Sequence, residues 1–259
     1  MKRRTFLPAA AGAGLAGMMP AASAKPAVLE LCRYQLRNGA DNQSQRVNEY
    51  LEKIWLPAVQ RAGAGPTGCF GSVIAEHTPF VLALASYASL AALEAAQEKM
   101  AADEGFRHAE ASFFGSPGLA FERAEVSLLR AFAAMPSVEV PSSEGRQTAR
   151  IFELRTYESS NPVTLARKIR MFAEGEIAIF RRTGLQPVFF GETIAGPRMP
   201  NLTYMLAFDD LAARDRNWRT FVGDPAWDKL RKQPGYADSE IVSNISNSIL
   251  RPMPFSAIR

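Results

Sequence analysis

The chain repeats itself. Leu29-Glu30-Leu31 and Tyr34 recur as Phe152-Glu153-Leu154 and Tyr157, at an offset of 123. Phe70-Gly71 and Ile74-Ala75 recur as Phe190-Gly191 and Ile194-Ala195 at 120. Pro79, Tyr87 and Leu90-Ala91-Ala92 recur as Pro200, Phe208 and Leu211-Ala212-Ala213 at 121, and Asp103 and Phe106 as Asp224 and Trp227 at the same 121. One such match means little, but a nearly constant offset along roughly a hundred residues marks an internal repeat. The chain is therefore constrained to two copies of one unit. Met135 to Gln147, rich in Pro, Ser and Gly, reads as the linker between them.

The unit is clearest in the second copy. Ile151 to Tyr157 alternates as a two-faced strand, with Phe152, Leu154 and Thr156 on one side and Glu153, Arg155 and Tyr157 on the other. Ser159, Ser160, Asn161 and Pro162 break the strand and can open a helix. Ile169, Phe172, Ala173, Ile177 and Phe180 form one apolar stripe. Arg181 and Arg182 suit the negative end of the helix dipole, and Gly184 is a plausible stop. Strands at 187–195 and 202–208, a helix at 210–222, a short helix at 225–232 and a strand at 239–250 follow. The first copy reads in the same order: strand 28–36, helix 41–62, strands 69–76 and 80–87, helix 90–102, a less regular 107–118, and strand 121–132. Pro57 is expected to kink its first helix or end that helix's first part. Each copy is thus βαββαβ, the ferredoxin-like order. Helices cover one face of such a sheet and leave the other bare, and a bare, partly apolar face needs a partner. The predicted class is α+β, with the two repeats packed sheet to sheet around a shared interior.

Of the 259 residues, 47% are apolar, enough to bury a sizeable core. The formal charge of +4 comes largely from Lys2, Arg3 and Arg4; without them 27 basic residues face 26 acidic ones. That balance gives no electrostatic case for nucleic acid. Lys2 to Leu7 resembles the twin-arginine (Tat) motif of bacterial exported proteins, followed by an Ala/Gly-rich stretch and a small-residue cleavage site at Ala22-Ser23-Ala24. The expected layout is a Tat signal peptide at 1–24, a diverged repeat at 25–134, a linker at 135–148 and a second repeat at 149–259. The expected location is periplasmic or secreted, with no transmembrane segment once the signal is removed.

Residues 150–252 resemble the NIPSNAP domain of the dimeric α/β-barrel superfamily. The resemblance rests on Glu153 to Tyr157 (ELRTY), Arg182-Thr183-Gly184, Phe190-Gly191, Phe208-Asp209-Asp210-Leu211 with Arg214, Asp224-Pro225 with Trp227, and the close at Ser248 to Pro252. Residues 28–132 look like a diverged copy, with Cys32 where Arg155 stands and Phe106 for Trp227. The resemblance implies one barrel made within the chain and no settled reaction. In the ferredoxin-like strand order Cys32 and Cys69 stand two strands apart, roughly 9–10 Å, so both are expected as free thiols.

Glu153, Arg155 and Tyr157 share a strand face, which Glu30 and Tyr34 partly repeat. If Phe152 and Leu154 face the helices, the polar triplet faces the barrel, where Glu could act as a base, Arg could hold an anion and Tyr could donate a proton. These five and Arg214 are the expected ligand-binding set, and the triplet also supplies the catalytic candidates. The structural alternative is a Glu153–Arg155 ion pair fixing the sheet. Glu176 falls within the apolar stripe and must be paired, protonated or at its edge; a salt bridge to a neighbouring Arg is expected. His77 and His108 do not share a spacing that suits a metal. No metal or other cofactor is predicted, although haem binding through a histidine elsewhere in the superfamily makes His77 or His108 the alternative ligand. The favoured function is binding of a small molecule or partner in the barrel cleft. The alternatives are an enzyme of monooxygenase, isomerase or haem-linked type, by analogy of fold alone, and a scaffold that forms homo-oligomers through its outer surfaces.

Overall fold

The computed structural model describes residues 24–39, 42–142, 144 and 148–259, so the expected export signal lies outside the described residues but for Ala24. The first copy runs β1 (Val28–Gln35), α1 (43–62), β2 (Thr67–Ile74), β3 (Phe80–Tyr87), α2 (Leu90–Ala102), α3 (Glu104–Gly115) and β4 (Arg123–Ala131). The second runs β5 (Ile151–Glu158), α4 (162–182), β6 (Gln186–Ala195), β7 (Asn201–Phe208), α5 (Leu211–Val222), α6 (Pro225–Arg231), α7 (Asp238–Ile241) and β8 (Asn244–Pro252). Several repeated residues turn out to be helix caps. Asp103 and Asp224 accept backbone N–H bonds at the starts of α3 and α6, and Ser89 and Asp210 do the same for α2 and α5. Two sequence expectations change. The less regular stretch 107–118 lies largely within the regular helix α3, and the last strand starts only at Asn244, because Asp238–Ile241 closes one helical turn first.

The first long helix of each copy contains a wide π-turn, at Leu51–Trp55 and at Phe172–Glu176, again 121 residues apart. Pro57 therefore does not end α1; it sits in the first turn of the α-helical part that follows the π-turn, where a missing N–H is tolerated. Within that wide turn of α4 Ala173, expected inside, is exposed; Glu176 is buried, as its place in the stripe implies, and so is Lys168, which precedes the turn.

All eight strands close into one barrel in the order β1-β3-β2-β8-β5-β7-β6-β4. Within each copy the first strand lies between the third and fourth, as the ferredoxin-like order requires. The two sheets meet edge to edge at two antiparallel seams, β2–β8 and β4–β6, so neither sheet keeps a free edge. At the second seam Gly191 stands opposite Ala131, and a Cβ at Gly191 would lie 2.8 Å from Leu129 Cβ. In β6 the Phe-Gly pair thus serves the seam, with Phe190 under the helices and Gly191 letting the strands approach, whereas Phe70 of the first copy points into the barrel.

The bare sheet faces line the interior, which is packed rather than hollow. Phe70 and Phe152, from opposite copies, meet edge to face at 5.0 Å, among Leu29, Leu84, Met205 and Leu250. Val138 from the linker and the fully buried Ile258 from the C-terminus join this cluster and plug one end of the barrel.

Cys32 and Cys69 are free, and both pair across the sheet with Ala83, one from each side. Burial pushes Cys32 up to about 11 and Cys69 to about 12, since a thiolate loses its hydration there. At pH 8 iodoacetamide is expected to leave both thiols unmodified in the folded protein and to label both in denaturant. A Cys32–Cys69 disulfide in the peptide map would overturn the strand order.

Candidate functional site

The structure turns the expected binding face around. Leu29, Leu31, Phe152 and Leu154 point into the barrel, and Glu153 and Tyr157 point outward beneath the helices with Arg155. The physical reason is closure. Both faces of β1 and β5 are covered, one by helices and one by the opposite sheet, so alternation fixes the period but not which face is which.

Under the helices of the second copy the triplet forms a buried network. Glu153, fully buried, accepts from Arg214 Nε (2.9 Å) and Nη2 (2.7 Å), Arg155 Nη1 (2.8 Å) and Trp218 Nε1 (2.8 Å). Burial pushes its carboxyl up, but Arg214, Arg155 and Trp218 together outweigh that and hold it below the usual carboxylate range. Arg155 also donates to Tyr157 (3.3 Å) and lies 4.7 Å over the Trp218 ring, and Tyr204 donates to Tyr157 at 2.8 Å. The ion pair expected as the structural alternative is therefore present, enlarged by Arg214 and Trp218. Glu176 is paired too, though with Lys168 rather than an arginine: Nζ to Oε2 is 3.0 Å, with both side chains at most 2% exposed. Complete burial pushes the Glu176 carboxyl up and Lys168 opposes it, while the same carboxylate keeps Lys168 protonated against its own burial.

The first copy replaces this network with apolar packing. Glu30 accepts a long bond from Tyr87 (3.3 Å), and burial raises its carboxyl. Tyr34 packs against Phe121 and Tyr50. Of the expected set, Glu153, Arg155, Tyr157 and Arg214 come together; Glu30 and Tyr34 lie under the other copy's helices. None of the six lines the cavity described next.

That cavity is the open mouth of the barrel, about 330 Å³, at the small end of ligand pockets. Along β1 the inward residues change from Leu29 and Leu31 to Arg33 and Gln35; along β5 they change from Phe152 and Leu154 to Thr156 and Glu158. The floor is accordingly Leu31, Leu82 and Leu154, and the rim is polar. Thr156 and Thr203 hydroxyls meet at 2.9 Å, and Thr193 donates to Asn201 at 2.6 Å. Both β-hairpins overhang the mouth. His77 (φ 54°) and Arg198 (φ 60°) hold left-handed backbone uncommon outside glycine, and each precedes a cis X–Pro bond, at Pro79 and Pro200. They are repeat equivalents that have diverged.

Charge at the rim is uneven. Arg123 pairs with Glu125 at 2.8 Å and Arg198 with Glu76 at 3.4 Å. Arg33 stacks on Phe80 at 3.9 Å and donates through Nη2 to the carbonyls of Glu76 (2.8 Å) and His77 (3.2 Å). Its Nε is buried without a hydrogen-bond partner among the described residues. Sequence reading missed the rim, although the turn from apolar to polar along one face of β1 and β5 was a visible signal. His77 lies at this mouth, whereas His108 is exposed on α3. Among the described residues no group of three or more His, Cys, Asp or Glu could hold a metal. No helix among them is long and apolar enough to cross a membrane.

Two ferredoxin-like units, closed at their edges into eight strands with helices outside, define an α/β barrel of the dimeric type formed within one chain. The NIPSNAP family model matches residues 29–136 and 152–257, so the chain belongs to the NIPSNAP family and carries its domain twice. No curated protein matches it in sequence. Solved structures match its fold along most of its length. A presumed monooxygenase from Fusobacterium nucleatum is 6% identical, covers 88% of this chain and 93% of its own, and has a TM-score of 0.57. One from Lactobacillus acidophilus is 10% identical, with 88% and 94% covered and a TM-score of 0.55. A mutant chlorite dismutase from Candidatus Nitrospira defluvii is 9% identical, with 90% and 92% covered and a TM-score of 0.51.

Proposed function

We propose that this NIPSNAP protein is exported and binds a small molecule in the mouth of its barrel. The observation that carries the binding is the mouth itself, a concave space with an apolar floor and convergent hydroxyl, amide and guanidinium groups at its rim. Such a floor favours an apolar body and such a rim fixes its orientation. Val138 and Ile258 plug the opposite end, so ligand would enter and leave by the same opening. The export reading rests on the twin arginines and the small residues before Lys25.

Native mass spectrometry of periplasmic material tests both parts. The expected mass lacks residues 1–24 and carries a small molecule that is absent from a Thr203→Trp variant, in which an indole fills the mouth. Wild-type protein emerging bare, or retaining the same adduct with the mouth filled, would overturn the binding site. A chain that keeps its first 24 residues or stays in the cytoplasm would overturn the export.

A further inference from the structure

We infer that the mouth selects a ligand with one negatively charged head on an apolar body, and that Arg33 is the residue that holds the head. This rests on the mouth being a ligand site and names the class of ligand it takes.

Three guanidiniums reach the rim, from Arg33 on β1, Arg123 on β4 and Arg198 on the β6–β7 hairpin, against two carboxylates, Glu76 and Glu125. The carboxylates are already engaged with Arg198 and Arg123, and Arg198 also donates to Ser246 at 3.0 Å. Arg33 has no carboxylate within ion-pair distance among the described residues, only two carbonyls, the side chain of Gln35 at 3.3 Å and the face of Phe80. It stands one inward position above Leu31, so the surplus positive charge lies directly over the apolar floor. Burial and the neighbouring Arg198 and Arg123 lower its proton affinity, while Glu125 and Glu76 raise it too little to compensate. An anion at this position would relieve that repulsion and receive charge-assisted hydrogen bonds. A neutral ligand would leave the charge uncompensated, and a cation would add to it. The carbonyls that hold Nη2 belong to the β2–β3 hairpin and fix the guanidinium before any ligand arrives, which lowers the ordering cost of binding.

Isothermal titration with octanoate, octan-1-ol and octylammonium separates the possibilities, since the three share a chain and differ in head charge. Octanoate is expected to bind about tenfold or more tighter than octanol, and octylammonium more weakly than either. Arg33→Gln should remove the preference for octanoate while leaving octanol binding in place, which also shows that the variant is folded. Glu125→Gln frees Arg123 and should tighten octanoate roughly threefold with no change for octanol. Thr203→Trp should abolish binding of all three. If octanol or octylammonium binds as well as octanoate, and Thr203→Trp abolishes it, the anion class is wrong and the mouth remains a ligand site. Octanoate binding that survives Thr203→Trp, or no binding by any of the three, overturns the inference. In that case the bound mass in periplasmic protein still decides separately whether the mouth holds a ligand.

Discussion

Glu153→Ala should be among the most damaging single substitutions in the second copy, at about 3–5 kcal/mol. The carboxylate is fully buried and is the shared acceptor for Arg155, Arg214 and the Trp218 indole. Removing it leaves two guanidiniums, 13% and 25% exposed, facing each other with no counter-charge between them. For a chain of this size the melting temperature should fall by on the order of 10 °C. Glu153→Gln keeps an acceptor for the indole and should lose less. The pH dependence has a definite sign. Because the folded carboxyl is held below its ordinary value, its contribution is fully present above the usual carboxylate range and disappears as pH falls through the lowered folded value. The Gln variant should therefore have a flatter acid limb. A loss below about 1 kcal/mol for Glu153→Ala in urea unfolding would show that the network is solvated, contrary to its burial.

Lys168 and Glu176 make a second large prediction, of a different kind. The ammonium lies within 3.0 Å of the Glu176 carboxylate and 3.8 Å of Asp238, and sits near the rings of Phe172, Tyr157 and Trp227. Lys168→Met strands a completely buried carboxyl, which must either stay charged or take up a proton, and should cost about 3–5 kcal/mol. Glu176→Leu strands the ammonium, with Asp238 as a partial, exposed substitute, and should cost less. The double variant fills the same space with apolar groups and should recover most of the loss, giving a coupling of about 2 kcal/mol or more in a double-mutant cycle. If the two single losses simply add, the pair is not energetically coupled.

The sequence made the architecture readable because the repeat carries redundant information. The offsets that join Pro79 to Pro200 and Asp103 to Asp224 connect residues with the same local task, a hairpin turn or a helix cap, and such tasks depend on neighbours a few residues away. The strand order and the separation of Cys32 from Cys69 followed from the order of elements. The sidedness of β5 was not readable. Glu153, Arg155 and Tyr157 alternate with Phe152, Leu154 and Thr156 whichever face is inward, and the partners that settle the matter, Arg214 and Trp218, are more than fifty residues away on α5. Arg214 does meet the triplet, through Glu153, but under the helices rather than in the cleft. The π-turn of α4 has no strong sequence signature, so the exposure of Ala173 within it is not legible, and nothing local marks Lys168, eight residues before Glu176, as its buried partner. The rim of the mouth was written in the inward positions of β1 and β5, yet it emerges only once those positions are known to be inward.

The linker that crosses the plugged end has a consequence beyond closing it. A barrel assembled from two separate chains comes apart on dilution, because its seams form by a second-order encounter. Here the same seams close within one molecule, at an effective local concentration set by a short tether. The mouth should therefore stay intact at protein levels where two unlinked halves would have separated. Because each half is always paired with the other, they have been free to diverge, and a strictly twofold assembly could not have placed Arg33, Arg123 and Arg198 around one opening without duplicating each of them.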